Sequence, residues 1–207
     1  MRNYRFFVNS SFEQIADGIA EHGYAVADQF LETFEVADIL SLPEFKDWLG
    51  HFKKAGIGKN QGHQINEAIR GDYIKWIDNN SSPGPIDVYL DKLRLLVDHI
   101  NQSLFLSIKD YELHMAVYPP GAFYKRHLDQ FNRDDHRKLS IICYLNEDWR
   151  PEYGGQLRIW LSDKPIDVLP TAGRLVCFRS DLIEHEVMPA TKTRLSITGW
   201  MLDQFHL

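Results

Sequence analysis

The sequence predicts an α+β fold that is mainly β, with a helical N-terminal half and an antiparallel sandwich or jelly roll in the C-terminal half. The first observation is a helical apolar period that recurs before residue 105. The second is a change, from Tyr111 onward, to short runs rich in β-branched and aromatic residues. The third is size, because 207 residues with 44% hydrophobic content suit one domain with its own core. We therefore expect a single domain over residues 1–207.

Three helices are predicted in the first 110 residues, as a layer that supports the sheets. Ser10 followed by Glu13 is a capping-box pattern, and Gly23 stands where a helix-ending glycine is expected. A second helix is predicted around residues 31–40. Pro85 occupies a first-turn position of the third helix. The apolar positions of that helix are Val88, Leu93, Leu96, Val97, Ile100 and Leu104.

Residues 55–83 differ from both halves of the chain. Glycines and side-chain amides are dense, the apolar pattern is weak, and an Asn-Asn-Ser-Ser-Pro-Gly turn closes the stretch. A loop or hairpin of this length in a compact domain is typical of a lid or a binding loop. A surface excursion without a function is the alternative. We predict a lid.

The C-terminal half contains seven short strand-like runs with no helical pattern between them. Turn signals such as Pro-Pro-Gly and Thr-Ala-Gly separate the runs. This spacing favours an antiparallel core over residues 111–202, flanked by the N-terminal helices. The runs are YELHMAVY, KLSIICYL, QLRIWL, IDVLP, RLVCF, HEVMP and RLSITGWML.

Composition disfavours several classes of protein. The net charge of −6 provides no global basic field for nucleic acid. The two cysteines, Cys143 and Cys177, lie in apolar runs, which is typical of buried free thiols in a reducing compartment. The N-terminus lacks a signal-peptide pattern, and no apolar run is long enough to span a membrane. We expect a cytoplasmic protein with no nucleic-acid or membrane partner.

Two histidines and an aspartate form a candidate metal site. His127 and Asp129 are two residues apart, so on an extended segment their side chains point the same way. His185 lies on a different predicted strand, which in a two-sheet fold can face the first. This ligand set is the facial triad of non-haem Fe(II) oxygenases. Zinc accepts the same ligands, so the residues alone leave the metal open.

An arginine on the next predicted strand suggests what binds beside the metal. Arg194 opens that strand, and Ser196, Thr198 and Trp200 share its face. A guanidinium can clamp a carboxylate through two hydrogen bonds. A cosubstrate with a 2-keto acid for the metal and a second carboxylate for Arg194 is 2-oxoglutarate. A surface arginine paired with an acid is the alternative for Arg194 taken alone.

With these residues in place, the chain resembles the Fe(II)/2-oxoglutarate-dependent prolyl hydroxylases of the prolyl 4-hydroxylase family. The likeness is to the hypoxia-inducible-factor branch and its bacterial relatives, and it covers residues 56–200. It rests on IRGDYIKWI, MAVYPPGAFYKRHLD, CYLNEDW, GGQLRIW and HEVMPATKTRLSITGW, which follow the family's order. The resemblance implies a double-stranded β-helix (jelly-roll) core, Fe(II), 2-oxoglutarate and dioxygen, with ascorbate as an accessory reductant.

The resemblance also implies a role for each matching position. Three residues, His127, Asp129 and His185, would bind the metal. Arg194 and Tyr144 would bind the distal carboxylate of 2-oxoglutarate, and the resemblance places Tyr118 near its 1-carboxylate. The remaining matches are Thr198 and Trp200, which would line the cosubstrate pocket, and Arg137 and Asp72, which would pair across the substrate side of the site.

The activity implied is hydroxylation of a prolyl residue at C4 in a protein substrate, with succinate and carbon dioxide as coproducts. Translation-machinery proteins are the candidate targets by analogy. Two alternatives stay open: an oxygenase of a free amino acid or small metabolite, which would not need the long lid, and a non-catalytic jelly-roll module that binds a metal or carboxylate ligand. Nucleic-acid demethylases are disfavoured because no second arginine follows Arg194. The histidines His51, His63, His114 and His136 are expected outside the metal site, with His114 a candidate pocket-lining residue.

Overall fold

Two antiparallel sheets and a helical layer make up the fold. The structure is a computed structural model that describes residues 2–56, 66–78, 84–130, 135–162 and 164–205. The larger sheet has seven strands and the smaller has four. Apolar side chains from both sheets pack together in one buried cluster, so the sheets face each other as in a jelly roll. The predicted fold class is confirmed.

The helices lie in the first half of the chain. The sequence predicted a start for the first helix at Ser10, and this is wrong, because the helix begins at Arg2 and passes through Ser10 without a break. No glycine or proline precedes Ser10 to end a helix there. Gly23 follows the helix with φ +78, as expected of a helix-ending glycine. The helices are α1 (Arg2–His22), α2 (Thr33–Leu40), α3 (Pro43–Lys46), α4 (Trp48–His51) and α5 (Gly84–Leu104).

Eleven strands lie within the described residues, and a short 3₁₀ helix (Pro151–Tyr153) precedes the seventh. The larger sheet has the order β1-β9-β6-β11-β4-β3-β2 and the smaller the order β5-β10-β7-β8. The strands are β1 (Tyr24–Ala27), β2 (Lys53–Lys54), β3 (Tyr73–Trp76), β4 (Asp110–Tyr118), β5 (Tyr124–His127), β6 (Arg137–Tyr144), β7 (Leu157–Trp160), β8 (Ile166–Val168), β9 (Leu175–Arg179), β10 (Glu184–Val187) and β11 (Arg194–Leu202).

The segment predicted as a lid is anchored in the larger sheet. β2 and β3 pair antiparallel, and β3 continues the sheet by pairing with β4. The segment thus carries one strand of this pair, β3, and β2 lies just before it. Its central residues 57–65, and most of the closing Asn-Asn-Ser-Ser-Pro-Gly turn, lie outside the described residues.

Alternation along the central strands separates two environments. On β11, Leu195, Ile197 and Met201 pack in the cluster formed with the helices. The alternate residues of β11, which are Arg194, Ser196, Thr198 and Trp200, face the smaller sheet. Cys143 and Cys177 are buried free thiols, as predicted. Within the described part of the chain, no helix is long and apolar enough to cross a bilayer.

Candidate metal and cosubstrate site

Strand pairing brings the three candidate metal ligands together. β5 and β10 pair antiparallel with His127 directly opposite His185. Asp129 lies in the bend that follows β5. Its Oδ1 is 3.5 Å from Nε2 of His127, and its Oδ2 is 3.5 Å from Nε2 of His185. One potential ligand atom from each residue lies within 4.8 Å of the other two, and this is the one such group found among the described residues.

Both histidines present Nε2 to the shared space. Nδ1 of His127 lies 2.6 Å from the carbonyl oxygen of Lys125, and Nδ1 of His185 lies 3.2 Å from that of Ile183. Because a carbonyl only accepts, each Nδ1 carries the hydrogen and each Nε2 keeps a lone pair. Burial lowers the pKa of His185 to about 4, so its ring is neutral at neutral pH. This is the state that binds a metal.

The aspartate is held as a carboxylate. Burial alone would raise the pKa of Asp129, but the neighbouring His185 and His127 and the hydroxyl of Ser140 hold it well below its usual range. The Ser140 hydroxyl donates to Oδ2 at 2.7 Å. Two imidazoles and one carboxylate on one side of a point fit Fe(II), with open positions on the other side. The donor set therefore fits the metal that the sequence implies.

A buried arginine with an unused donor lies on the inner face of the larger sheet, which faces the smaller sheet that carries the two histidines. Arg194 is 2% exposed, and its Nε donates to the carbonyl oxygen of Gly155 at 3.0 Å. Its Cζ lies 5.0 Å from the ring centre of Tyr118 and 4.9 Å from that of Tyr144. Among the described residues, Nη2 of Arg194 and the hydroxyl of Tyr144 have no hydrogen-bond partner. Buried polar atoms are rarely left so, and here both would be satisfied by a ligand carboxylate.

Strand register connects this arginine to the metal ligands. Along β11, Ser196 lies opposite Tyr144, Thr198 opposite Ile142 and Trp200 opposite Ser140 of β6. The inner face of β6 thus runs from Ser140, which contacts Asp129, to Tyr144 beside Arg194. A small dicarboxylate with a keto group can span this row, because the metal ligands lie at one end and the guanidinium at the other. The residues fit 2-oxoglutarate.

The other predicted pocket residues lie on or beside this face. The hydroxyl of Thr198 donates to the carbonyl oxygen of Ile141 at 3.0 Å. Trp200 lies under the guanidinium of Arg137, whose Cζ is 3.5 Å from the ring centre, and its buried Nε1 has no partner in the described part of the chain. Burial raises the pKa of Tyr118 well above its usual range, so its hydroxyl stays protonated.

The predicted pairing of Asp72 with Arg137 is wrong. Asp72 is 1% exposed and accepts from Nε and Nη2 of Arg70, at 2.7 and 2.5 Å. Arg137 instead pairs with Glu112 at 3.3 Å. Asp72 pairs with Arg70 because the two residues are two positions apart on an extended segment, so their side chains point the same way. Arg70 also packs over the ring of Tyr124, with its Cζ 4.3 Å from the ring centre.

Of the histidines expected outside the metal site, His51, His114 and His136 lie in the described part of the chain and belong to no group that could hold a metal ion. His114 is buried against Trp76 and Trp200, and burial lowers its pKa to about 3. His114 therefore lies on the inner face of the larger sheet, which is where a pocket-lining residue is expected. His136 contacts Asp203, whereas His63 lies outside the described residues. His51 is exposed on α4.

Sequence reasoning missed several residues around the metal ligands. Tyr124 stacks on His127 with ring centres 3.6 Å apart, and Phe178 lies 4.6 Å from His185. Ser140 and Ser180 form a hydroxyl pair beside Asp129. A serine inside the apolar run KLSIICYL was a usable signal, because a buried strand position seldom keeps a hydroxyl without a partner.

Comparisons with known proteins agree with this geometry. A family model described as the 2OG-Fe(II) oxygenase superfamily matches residues 113–202. Human Egl nine homolog 1 is 34% identical over 93% of this chain and 47% of its own length. Mouse prolyl hydroxylase EGLN3 is 30% identical over 93% of this chain and 84% of its own length. The chain spans about half the length of most of the first curated relatives it matches.

Solved structures give the same result. A Pseudomonas putida prolyl-4-hydroxylase is 41% identical, with a TM-score of 0.84, over 94% of this chain and 100% of that one. A Trichoplax adhaerens prolyl hydroxylase, solved with a hypoxia inducible factor oxygen degradation domain peptide fragment, is 26% identical with a TM-score of 0.86. That match covers 97% of this chain and 92% of the other. The chain belongs to the 2OG-Fe(II) oxygenase superfamily and, within it, to the prolyl hydroxylases related to the hypoxia-inducible-factor enzymes.

Proposed function

We propose that this chain is an Fe(II)- and 2-oxoglutarate-dependent dioxygenase that hydroxylates a prolyl residue of a protein at C4, with succinate and carbon dioxide as coproducts. The observation that carries the proposal is a pair of features in the space between the two sheets. The triad of His127, Asp129 and His185 lies at one end, and the unpaired polar atoms of Arg194 and Tyr144 lie at the other. The prolyl hydroxylase relatives support the choice of substrate.

Fe(II), bound with 2-oxoglutarate and dioxygen, supplies the oxidation of a C–H bond to an alcohol. His127, Asp129 and His185 would hold the metal from one side. Arg194 would orient 2-oxoglutarate by its distal carboxylate, and the Tyr144 hydroxyl would donate to the same group. Burial raises the pKa of Tyr144, although the charge of Arg194 opposes the shift, so the hydroxyl keeps its proton for donation.

The inner face also excludes water from the reacting atoms. Ile142, Val176 and Phe178 of the larger sheet pack with Leu157 and Ile159 of the smaller one in the buried cluster between the sheets. A dry surrounding strengthens the charge interactions of the bound cosubstrate and protects reactive species from side reactions. The protein's contribution to the chemistry is therefore orientation and shielding.

The substrate side carries aromatic and charged groups suited to a peptide. Trp76 on β3, next to the edge strand of the larger sheet, is 55% exposed and packs against buried His114 beside Trp200. Arg137 covers the ring of Trp200. An aromatic surface beside the metal ligands suits a prolyl ring, and the β2–β3 hairpin stands next to it. A proline-bearing protein, with translation-machinery proteins as the first candidates, is therefore our proposed partner.

Two further assignments accompany this proposal. Ascorbate is proposed as an accessory reductant, on the strength of the family chemistry alone. A cytoplasmic location is proposed because Cys143 and Cys177 are buried free thiols, which suits a reducing compartment.

The direct test is to incubate the protein with Fe(II), 2-oxoglutarate, air and proline-containing peptides, and to measure product mass and succinate together. We expect the mass of one added oxygen atom, located on proline by fragmentation, with matching succinate. Matching peptides with alanine in place of proline are the control. Hydroxylation of free amino acids or metabolites, with no peptide hydroxylated, would favour the small-molecule alternative. Failure to turn over 2-oxoglutarate with any substrate would favour the binding module.

A further inference from the structure

Asp129 lies where no strand pairing fixes the chain. β5 ends at His127, and Asp129 follows in a bend. Two backbone contacts hold this bend in place. Arg137 donates from Nη1 to the carbonyl oxygen of Asp129 at 3.2 Å. The backbone N–H of Gln130 donates to the carbonyl oxygen of Ser180 at 3.1 Å. These contacts place the main chain but leave the carboxylate free to rotate.

Two buried serines act on the carboxylate itself. Ser140 and Ser180 are 1% and 0% exposed, and their hydroxyl oxygens are 2.8 Å apart. The Ser140 oxygen is 2.7 Å from Oδ2 of Asp129. A hydroxyl has one hydrogen to donate, and an ionised carboxylate only accepts. Ser140 therefore donates to Asp129, and Ser180 donates to Ser140. The direction of this short relay is fixed.

The relay makes the two carboxylate oxygens unequal. Each oxygen lies 3.5 Å from an Nε2, Oδ1 from that of His127 and Oδ2 from that of His185. Without the serine, both would be available to one ion, and the carboxylate could occupy two positions around it. With the serine, Oδ2 already shares its electrons with a hydroxyl hydrogen, which makes Oδ1 the better ligand.

We infer that Ser140, supported by Ser180, is a positioning residue for the metal site, which engages Oδ2 of Asp129 so that the carboxylate binds metal through Oδ1 alone. This inference rests on the proposed function, since it concerns how the triad holds its metal. A facial triad must leave three positions open for 2-oxoglutarate and dioxygen. A carboxylate bound through both oxygens would take one of them. The serine pair therefore keeps the dioxygen position available.

The test uses the whole protein with Co(II), whose visible spectrum reports the number and arrangement of its ligands. Ser140→Thr keeps the hydroxyl. Ser140→Val places a side chain of nearly the same shape as threonine there, without the hydroxyl. We expect Ser140→Val to bind Co(II) about 10–100-fold more weakly, the usual range for lost outer-shell partners, and to change the spectrum. Ser140→Thr should retain the wild-type affinity and spectrum. Ser180→Ala should have a smaller effect in the same direction.

Two controls separate this role from packing and from the proposed function. Ser196→Ala removes a hydroxyl from another buried serine, 1% exposed, and should leave the Co(II) spectrum unchanged. Circular dichroism and thermal unfolding of the metal-free variants show that each is folded. Equal behaviour of Ser140→Val and Ser140→Thr, whether both are normal or both weakened, would overturn the inference. Failure of the wild-type protein to bind Co(II) would instead overturn the proposed metal site itself.

Discussion

The two faces of the larger sheet use the same strands for different purposes. On the helix-facing side of β11, Leu195, Ile197 and Met201 pack with α5 in an apolar cluster. On the inner side, Arg194 and Trp200 each have a buried polar atom without a hydrogen-bond partner among the described residues. Side chains that are adjacent in sequence on β11 therefore face opposite sides of the sheet and have different roles. The comparison indicates that the helix-facing side provides stability and the inner side provides function.

The physical contrast lies in what each face lacks. The helix-facing side is complete, because burial of apolar area contributes about 25 cal/mol per Å² without any further partner. Each unpaired polar atom of the inner side costs about 1–3 kcal/mol in the free protein. A bound carboxylate that pairs with Arg194 and Tyr144 removes that cost. Ligand binding should therefore stabilise the protein through the inner face alone.

The largest expected effect is at the metal ligands, where Asp129 contacts the inner side of the larger sheet through Ser140. Asp129→Ala should abolish 2-oxoglutarate turnover, because two histidines alone do not hold the metal in the required arrangement. The fold should remain, since Asp129 lies in a bend outside the strands. Succinate release and circular dichroism, measured on the same sample, check both parts. Full turnover with stoichiometric iron in this variant would refute the metal assignment, and His127→Ala should behave alike.

The helix-facing counterpart is Ile197, which is fully buried one residue from Thr198. Ile197→Ala should lower the free energy of unfolding by about 2–5 kcal/mol through the cavity it leaves. The affinity for 2-oxoglutarate should be unchanged at a temperature where the variant is folded. Urea unfolding and ligand titration measure the two quantities. Ile197→Val is the matched control, with an expected loss of about 0.5–1.5 kcal/mol. A large loss of affinity with little loss of stability would break the comparison.

The hairpin should affect substrate more than cosubstrate. Asp72→Ala leaves buried Arg70 without its partner, and Arg70 also holds the carbonyl oxygen of Gly56 and the ring of Tyr124. Misplacement of the hairpin should lower peptide hydroxylation on the order of 100-fold, and lower 2-oxoglutarate decarboxylation much less. Lys54→Ala, which removes an exposed ion pair with Glu67 in the same hairpin, is the control. Equal loss of both activities in Asp72→Ala would mean that the hairpin supports the cosubstrate pocket.

The smallest expected effect is on pH dependence. Burial lowers the pKa of His114 to about 3 in the folded protein, against an ordinary value of 6.5. The unfolded chain therefore binds a proton that the folded protein does not, so the free energy of unfolding falls as pH falls below about 6.5. His114 contributes up to about 1.4 kcal/mol per pH unit to that slope. His114→Phe should reduce the slope for the metal-free protein between about pH 6 and 4.5. An unchanged slope would show that His114 is not buried as a neutral ring.

Local patterns predicted much of the fold and the ligand set. The alternation of side chains along a strand depends on backbone geometry alone, so Arg194, Ser196, Thr198 and Trp200 were correctly placed on one face. The jelly roll followed from the spacing of the C-terminal strands. His127, Asp129 and His185 come together as expected. The arrangement differs from the expected one, because the two strands that carry the histidines pair side by side in the smaller sheet and do not face each other across two sheets.

Features that depend on contacts between residues far apart in the chain were not predicted from the sequence. The short strands β1 and β3 are stabilised by pairing with β9 and β4, so their own residues carry a weak signal. The partner of Asp72 was misjudged because several arginines were available, and only the fold shows which lies closest. The serine relay was missed because Ser140 and Ser180 are far apart in sequence. They meet only because β6 pairs with β9, and Ser180 lies in the turn that follows β9.

The most direct test of the contrast between the faces is a ligand comparison at Arg194. We would titrate Mn(II)-loaded wild type and Arg194→Lys, without dioxygen, with 2-oxoglutarate and with 2-oxopentanoate, which has a methyl group in place of the distal carboxylate. Loss of the bidentate contact should weaken 2-oxoglutarate binding by about 2–5 kcal/mol in the variant. The binding of 2-oxopentanoate should be weak and nearly the same in both proteins. Equal weakening of both ligands, or of neither, would contradict the assignment of the unpaired atoms on the inner face to the cosubstrate.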